Sequence, residues 1–286
     1  MRHRTPGAVM DLVPLPSLPP PRPLDHLATL RDLVRRWPIA AAATVTALVS
    51  ALFLALPEID RTVATIFHVA GRGFPAERMI GLIGLREAGM ALTRWVIVGL
   101  VLAVLAKMIA PMLARAIPTR PLAFLVASLT LGPGLLVNVL LKGYWGRPRP
   151  REIVDFGGAF DFVPAWVPGG ACGGNCSFPS GEASSAAWLL ALVFVVPPAW
   201  RARTAAAVMV WTLAISLNRM AFGAHFLSDV TIGWGLVTIV TLIAREAILV
   251  RAPDAAFAAI DRVLAAIGAR LVDRAGRGAS APPVKP

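Results

Sequence analysis

The chain has 286 residues, of which 57% are hydrophobic and 15% charged, and a formal net charge of +12; its mean hydropathy is +0.69. Soluble domains carry about 25% charged residues, so this deficit excludes an ordinary soluble fold and points to a membrane protein. The positive balance does not indicate nucleic acid, because the basic residues flank apolar stretches or cluster in one hydrophilic loop instead of forming a continuous basic face.

The N-terminal stretch MRHRTPGAVMDLVPLPSLPPPRPL is basic and Pro-rich. It lacks an apolar core followed by a small-residue cleavage site, so residues 1–36 are expected to be a disordered cytoplasmic tail and not a signal peptide. A helical span needs about 20 mostly apolar residues. Six stretches qualify, near 38–57, 91–111, 121–142, 182–197, 203–219 and 226–249. The fourth and fifth are short, and the fifth and sixth nearly touch, which predicts a tight helical pair. Between the first two spans, TVATIFHVA and MIGLIGL are expected to lie along the interface. The predicted class is therefore all-α, a polytopic helical bundle of about six transmembrane helices. A membrane domain over 37–250 would carry an outer loop near 143–181, and a cytoplasmic tail would occupy 251–286.

Orientation follows from Lys and Arg in the short flanks. The N-terminal tail, Arg115 and Arg120, Arg201 and Arg203, and the arginines from Arg245 to Arg274 all fall on one side of a six-span chain, predicted to be cytoplasmic. Arg61, Arg72, Arg78 and Arg86 lie on the opposite side and count against it. The loop 143–181 and the 219–226 junction would then share the outer face. Cys172 and Cys176 lie four apart in a Gly-rich part of that loop. With no further ligands nearby they do not read as a zinc site; they are free thiols or, the favoured reading, a small disulfide on an oxidising face.

Three segments on that face carry chemistry: Lys142-GYWGRP-Arg149-Pro150, then Phe178-Pro179-Ser180-Gly181-Glu182, then Asn218-Arg219-MAFGA-His225-FLS-Asp229. Each has a bland reading. Arg147 and Arg151 read as snorkelling side chains, Ser180 as an N-cap, and His225 as a hydrogen-bonded interface residue. Asp229 is harder to dismiss, since a carboxylate inside an apolar span is costly without a partner. Taken together the segments favour phosphate chemistry. Lys142, Arg149 and Arg219 offer cationic donors, and the amides following Ser180 at a helix start offer an anion site. His225 offers an imidazole nucleophile, and Asp229, at i+4, is placed to accept its other ring N–H. Such a set transfers phosphoryl groups without a metal or cofactor.

These residues resemble the type 2 phosphatidic acid phosphatase (PAP2) superfamily, which includes vanadium haloperoxidases. Its first motif, Lys, six residues, Arg-Pro, matches at Lys142 and Arg149-Pro150; its middle motif, Pro-Ser-Gly-His, matches at Pro179, Ser180 and Gly181, with Glu182 in place of His. Its third motif, Ser-Arg, five residues, His, three residues, Asp, matches at Arg219, His225 and Asp229, with Asn218 in place of Ser. The stretch NCSFPSGEASSAAW resembles a bacterial branch labelled lipid A or related lipid phosphatases. The resemblance implies a haloperoxidase-like helical core in a bacterial inner membrane, with the active site facing the periplasm. It also implies hydrolysis of a membrane lipid phosphomonoester or pyrophosphate through a phosphohistidine. Lipid phosphotransfer, and a catalytically weak lipid-binding or transport relative, stand as alternatives. The family's general acid would fall to Glu182, which reads first as a working acid, second as an arginine's structural partner, and last as the mark of a weak site. The partners implied are a lipid phosphate and the bilayer, with no nucleic acid and no stated oligomeric state.

Overall fold

The computed structural model describes residues 32–109, 116–170 and 172–279, with side chains to 271. Most of the basic N-terminal tail, Arg115 and the side chain of Arg274 lie outside the described residues. Residues 1–37 are a unit of their own, described only as a helical turn in which Trp37 N donates to Leu33 O at 2.9 Å.

From Pro38 onward the chain is built of helices: α1 (Pro38–Ala55), α2 (Glu58–Thr65), α3 (Ile80–Ile109), α4 (Thr119–Leu129, prolonged to Tyr144), α5 (Gly181–Trp188, prolonged to Phe194), α6 (Pro198–Ala221), α7 (Leu227–Ala244, prolonged to Arg251) and α8 (Asp254–Ala279). Five of them, α1, α3, α4, α6 and α7 with their extensions, are long and apolar enough to cross a membrane; Gly181–Phe194 is apolar but shorter. The protein is a multi-pass, all-α membrane protein. The six expected stretches are found as six helices, but the fourth is cut short at Pro197–Pro198, where a helix cannot continue.

Three expectations change. Helix α3 begins at Ile80 and not near 91, so MIGLIGL is part of a membrane-length helix and not an interfacial piece. Gly81, Gly84, Arg86 and Glu87 dilute the hydropathy of that first part, which hides it in a sequence window. Helices α6 and α7 are not a tight pair: α7 packs mainly on α1 and α5, and meets α6 through Trp234 Nε1 donating to Ser216 Oγ at 3.2 Å. Within the segment 251–286, Asp254–Ala279 is a helix packed on α3.

Small residues allow these close packings. A side chain at Gly235 of α7 would collide with Thr46 of α1, one at Gly233 would press on Ser184 Oγ of α5, and one at Gly268 of α8 would strike the Met108 backbone of α3. Helix α4 widens its turns over Thr130–Leu141 around Pro133, which has no N–H to donate. Asn138 Nδ2 donates to the Pro133 carbonyl at 2.7 Å within that stretch.

The segments between helices gather at one end of the bundle. Trp145, Trp166 and Phe178 pack ring to ring, with centroids 5.0–5.7 Å apart, beside Phe53 and Ile232. Arg61 Nε donates to Asp155 Oδ2 at 2.6 Å, and Arg151 N donates to Gly223 O at 3.0 Å. Residues 58–79, 145–180 and 222–226 thereby form a single fixed cap. At the other end Lys107 donates to Ile117 O at 2.8 Å and Arg120 pairs with Asp254 at 2.7 Å.

Candidate active site

The cap roofs a cavity of about 380 Å³ whose wall carries five cations (Arg86, Lys142, Arg149, Arg151, Arg219), two carboxylates (Glu152, Glu182) and His225. A wall of that charge favours a compact, multiply charged anion. Lys142 ends the prolonged α4, Arg149 follows in the loop, Arg219 lies in the last turn of α6 and Glu182 in the first turn of α5. Arg149 Nη2 donates to Asn175 O at 2.7 Å. Asn175 belongs to the small loop closed by the Cys172–Cys176 disulfide, with Cα atoms 5.8 Å apart.

His225 is 2% exposed and sits in the turn between α6 and α7. Its Nδ1 lies 2.8 Å from the Ser177 carbonyl oxygen. A carbonyl can only accept, so Nδ1 carries the proton and Nε2 keeps its lone pair. Burial, reinforced by the charges of Lys142 and Arg219, pushes the imidazole pKa down to about 3, against the opposing pull of Asp229. The ring is therefore neutral near pH 7, the form a nucleophile needs.

The expected His225–Asp229 hydrogen bond is not made. Nδ1 stands 3.7 Å from Asp229 Oδ2, beyond hydrogen-bond range. The carboxylate is already engaged: it accepts from Arg147 Nη1 at 2.5 Å, from Ser177 Oγ at 2.5 Å and from Phe226 N at 2.7 Å. The last of these is the reach of an N3 acid back to its own N-cap. Asp229 thus acts on His225 through Ser177, whose hydroxyl it holds and whose carbonyl holds the ring.

Behind Asp229 lies a network that the three motifs do not announce. Arg147 is fully buried, not snorkelling, and lies between two carboxylates: Nη1 on Asp229 and Nη2 on Asp60 Oδ2 at 2.8 Å. Its Nε donates to Val163 O at 2.7 Å, and its guanidinium stacks 4.4 Å over the Phe226 ring. Asp60 also accepts from Ser228 N at 2.9 Å and Ser228 Oγ at 2.5 Å. Burial pushes its carboxyl pKa up, with Arg147 pulling the other way.

Ser180 and Gly181 do not line this cavity. Ser180 is fully buried; its amide donates to Asp229 O at 3.0 Å and its hydroxyl accepts from Ala183 N at 3.4 Å. Glu182 lies between two arginines, with Oε1 3.4 Å from both Arg86 Nε and Arg219 Nε. Arg219 Nε and Nη1 and Glu182 Oε2 are buried without a hydrogen-bond partner. Asn218, in the place of the family's Ser, donates to Leu82 O at 2.8 Å.

Residues 121–251 match the model of the PAP2 superfamily. Over 127 residues, 44% of this chain and 49% of the other, the sequence is 47% identical to the lipid A 4'-phosphatase of Rhizobium etli. It is 39% identical over 114 residues, 39% of this chain and 50% of the other, to the lipid A 4'-phosphatase of Francisella tularensis subsp. novicida. The chain spans about half the length of the curated relatives it matches. A solved PAP2-type phosphatidylglycerolphosphate phosphatase from Bacillus subtilis superposes with a TM-score of 0.48 at 15% identity, covering 73% of this chain and 95% of its own. The matched segment contains Lys142, Arg147, Arg149, Ser177, Glu182, Arg219, His225 and Asp229, whereas Asp60 and Arg86 lie before it.

Proposed function

We propose that the protein is a lipid phosphatase that hydrolyses a phosphomonoester or pyrophosphate of a membrane lipid at the periplasmic face, with His225 as nucleophile. The observation that carries this reading is a neutral imidazole, its Nδ1 tied to the Ser177 carbonyl, on the wall of a cavity bearing five cations. The lipid A 4'-phosphatase names of the matched relatives agree with it. A disulfide at the same end of the bundle fits an oxidising, periplasmic face.

In the proposed reaction Lys142, Arg149 and Arg219 hold the phosphate oxygens, the last through Nη1, which has no hydrogen-bond partner among the described residues. His225 Nε2 attacks phosphorus, the bond from phosphorus to the lipid oxygen breaks, and that oxygen leaves with the proton carried by the substrate's phosphate monoanion. The positive charge on the phosphohistidine is delocalised toward Nδ1–H and balanced through Ser177 by Asp229. Water then attacks phosphorus, releasing inorganic phosphate and restoring the neutral ring. Glu182 stands on the wall where it would serve the leaving oxygen, but its contacts to Arg86 and Arg219 favour a second role: holding both guanidiniums toward the phosphate.

Phosphate release from a lipid-phosphate panel by the detergent-purified protein tests the scheme. His225→Ala is expected to lose at least about 10³-fold in kcat, and retained wild-type turnover would overturn the mechanism. Adding an acceptor alcohol and analysing products distinguishes hydrolysis from phosphotransfer.

A further inference from the structure

Helix α3 carries an arginine where a membrane helix should have none. Arg94 is near the middle of Ile80–Ile109, a 30-residue helix. Whichever way a hydrocarbon layer about 30 Å thick is placed over it, this charge falls well inside. A charge at that depth is costly, and such residues characteristically face a cavity with a task. Among the described residues Arg94 has neither an ion pair nor a side-chain hydrogen bond, and it lines a second cavity of about 230 Å³.

That cavity adjoins the phosphate cavity, sharing Lys142 and Glu182 with it. One helix face connects the two. Arg86 lines the first, and Gly89, Met90, Thr93, Arg94 and Ile97 line the second, at the three- and four-residue spacings that place them in one stripe. Arg94 follows Arg86 by eight residues, about 12 Å along the axis. Helical side chains lean toward the N-terminus, which here is the end that carries Arg86 and the shared residues Lys142 and Glu182. The remaining walls combine polar groups (Asn138, Ser185) with apolar ones (Trp211, Ile215).

A lipid whose phosphate sits beside His225 would have the atoms between its headgroup and its chains in this second cavity. In an acylated lipid those atoms include the carbonyl oxygens of ester or amide linkages. A guanidinium, which donates only, suits them; a polyprenyl phosphate offers nothing at that depth. We infer that the Arg94 cavity binds the acyl carbonyl oxygens of the substrate, and so selects acylated lipid phosphates. The inference rests on the lipid-phosphate reading above and adds the substrate class.

The test measures binding, which does not require turnover. Full-length protein in the His225→Ala background, in detergent, is titrated with dioleoyl phosphatidic acid and with its dialkyl-ether analogue, which has the same phosphate and chains but no carbonyls. The diester is expected to bind about tenfold tighter than the diether, and Arg94→Leu to remove that preference by weakening the diester more than the diether. Equal affinity for the two lipids overturns the inference without any variant. A preference that survives Arg94→Leu overturns the role of Arg94, as does an equal loss on both lipids. Failure of the phosphatase reading shows separately, as absent phosphate release by the wild type across the lipid-phosphate panel.

Discussion

The two sides of the cavity are built in opposite ways. On the side of His225 every polar group is buried and engaged: ring on Ser177, Ser177 on Asp229, Asp229 on Arg147, Arg147 on Asp60. On the side of Glu182 the contacts are long, at 3.4 Å, and Arg219 Nη1 has no hydrogen-bond partner among the described residues. The first side is preorganised and fixed before any ligand arrives; the second keeps donors free for incoming oxygens. Under the proposed mechanism the contrast separates positioning the nucleophile, which needs rigidity, from gripping a phosphate, which needs unused hydrogen-bonding capacity.

The largest expected effect comes from breaking the rigid side at its centre. Arg147→Met would leave Asp60 and Asp229 buried and uncompensated, with an expected loss of about 3–5 kcal/mol. Thermal unfolding in detergent should show a large fall in Tm, and an unchanged Tm would mean that the network contributes little. A smaller effect follows from the depressed His225 pKa of about 3. Below pH 6.5 the unfolded chain binds a proton that the folded ring refuses, so this contribution to stability is present above pH 6.5 and is lost as pH falls toward about 3. The slope is at most about 1.4 kcal/mol per pH unit. Replacing the ring by Gln should flatten the acid side of the Tm–pH curve, and parallel curves would refute the assignment. The smallest effect probes the loose side. Glu182→Gln should raise KM about tenfold if the carboxylate positions Arg86 and Arg219, whereas a loss confined to kcat, partly restored by Glu182→His, would identify it as the acid.

Much of the cavity wall was legible in the sequence. Lys142, Arg149, Glu182, Arg219 and His225 stand at readable spacings, and the structure gathers all five around one space. What supports them was not legible. The group that orients His225 is a backbone carbonyl, for which sequence has no letter. Arg147 differs from its neighbours Arg149 and Arg151 only in facing inward, and facing is decided by packing. Asp60 lies 87 residues before Arg147; the one available signal was an acid in a short amphipathic helix between two spans. Arg86 was hidden because its charge made the start of α3 look like a loop.

The link from Asp60 to Arg147 has a consequence for where this module can be cut. The segment that matches the family model begins at residue 121, yet one of the two counter-charges of its buried guanidinium comes from helix α2, after the first span. A fragment trimmed to the homologous boundary would retain Lys142, Glu182, Arg219, His225 and Asp229 but carry an unbalanced charge at its centre. During biogenesis, likewise, the charge balance around Arg147 would be complete only once α2 has docked on α7. Homology and foldability therefore have different borders in this chain, and transplanting the site means taking α1 and α2 with it.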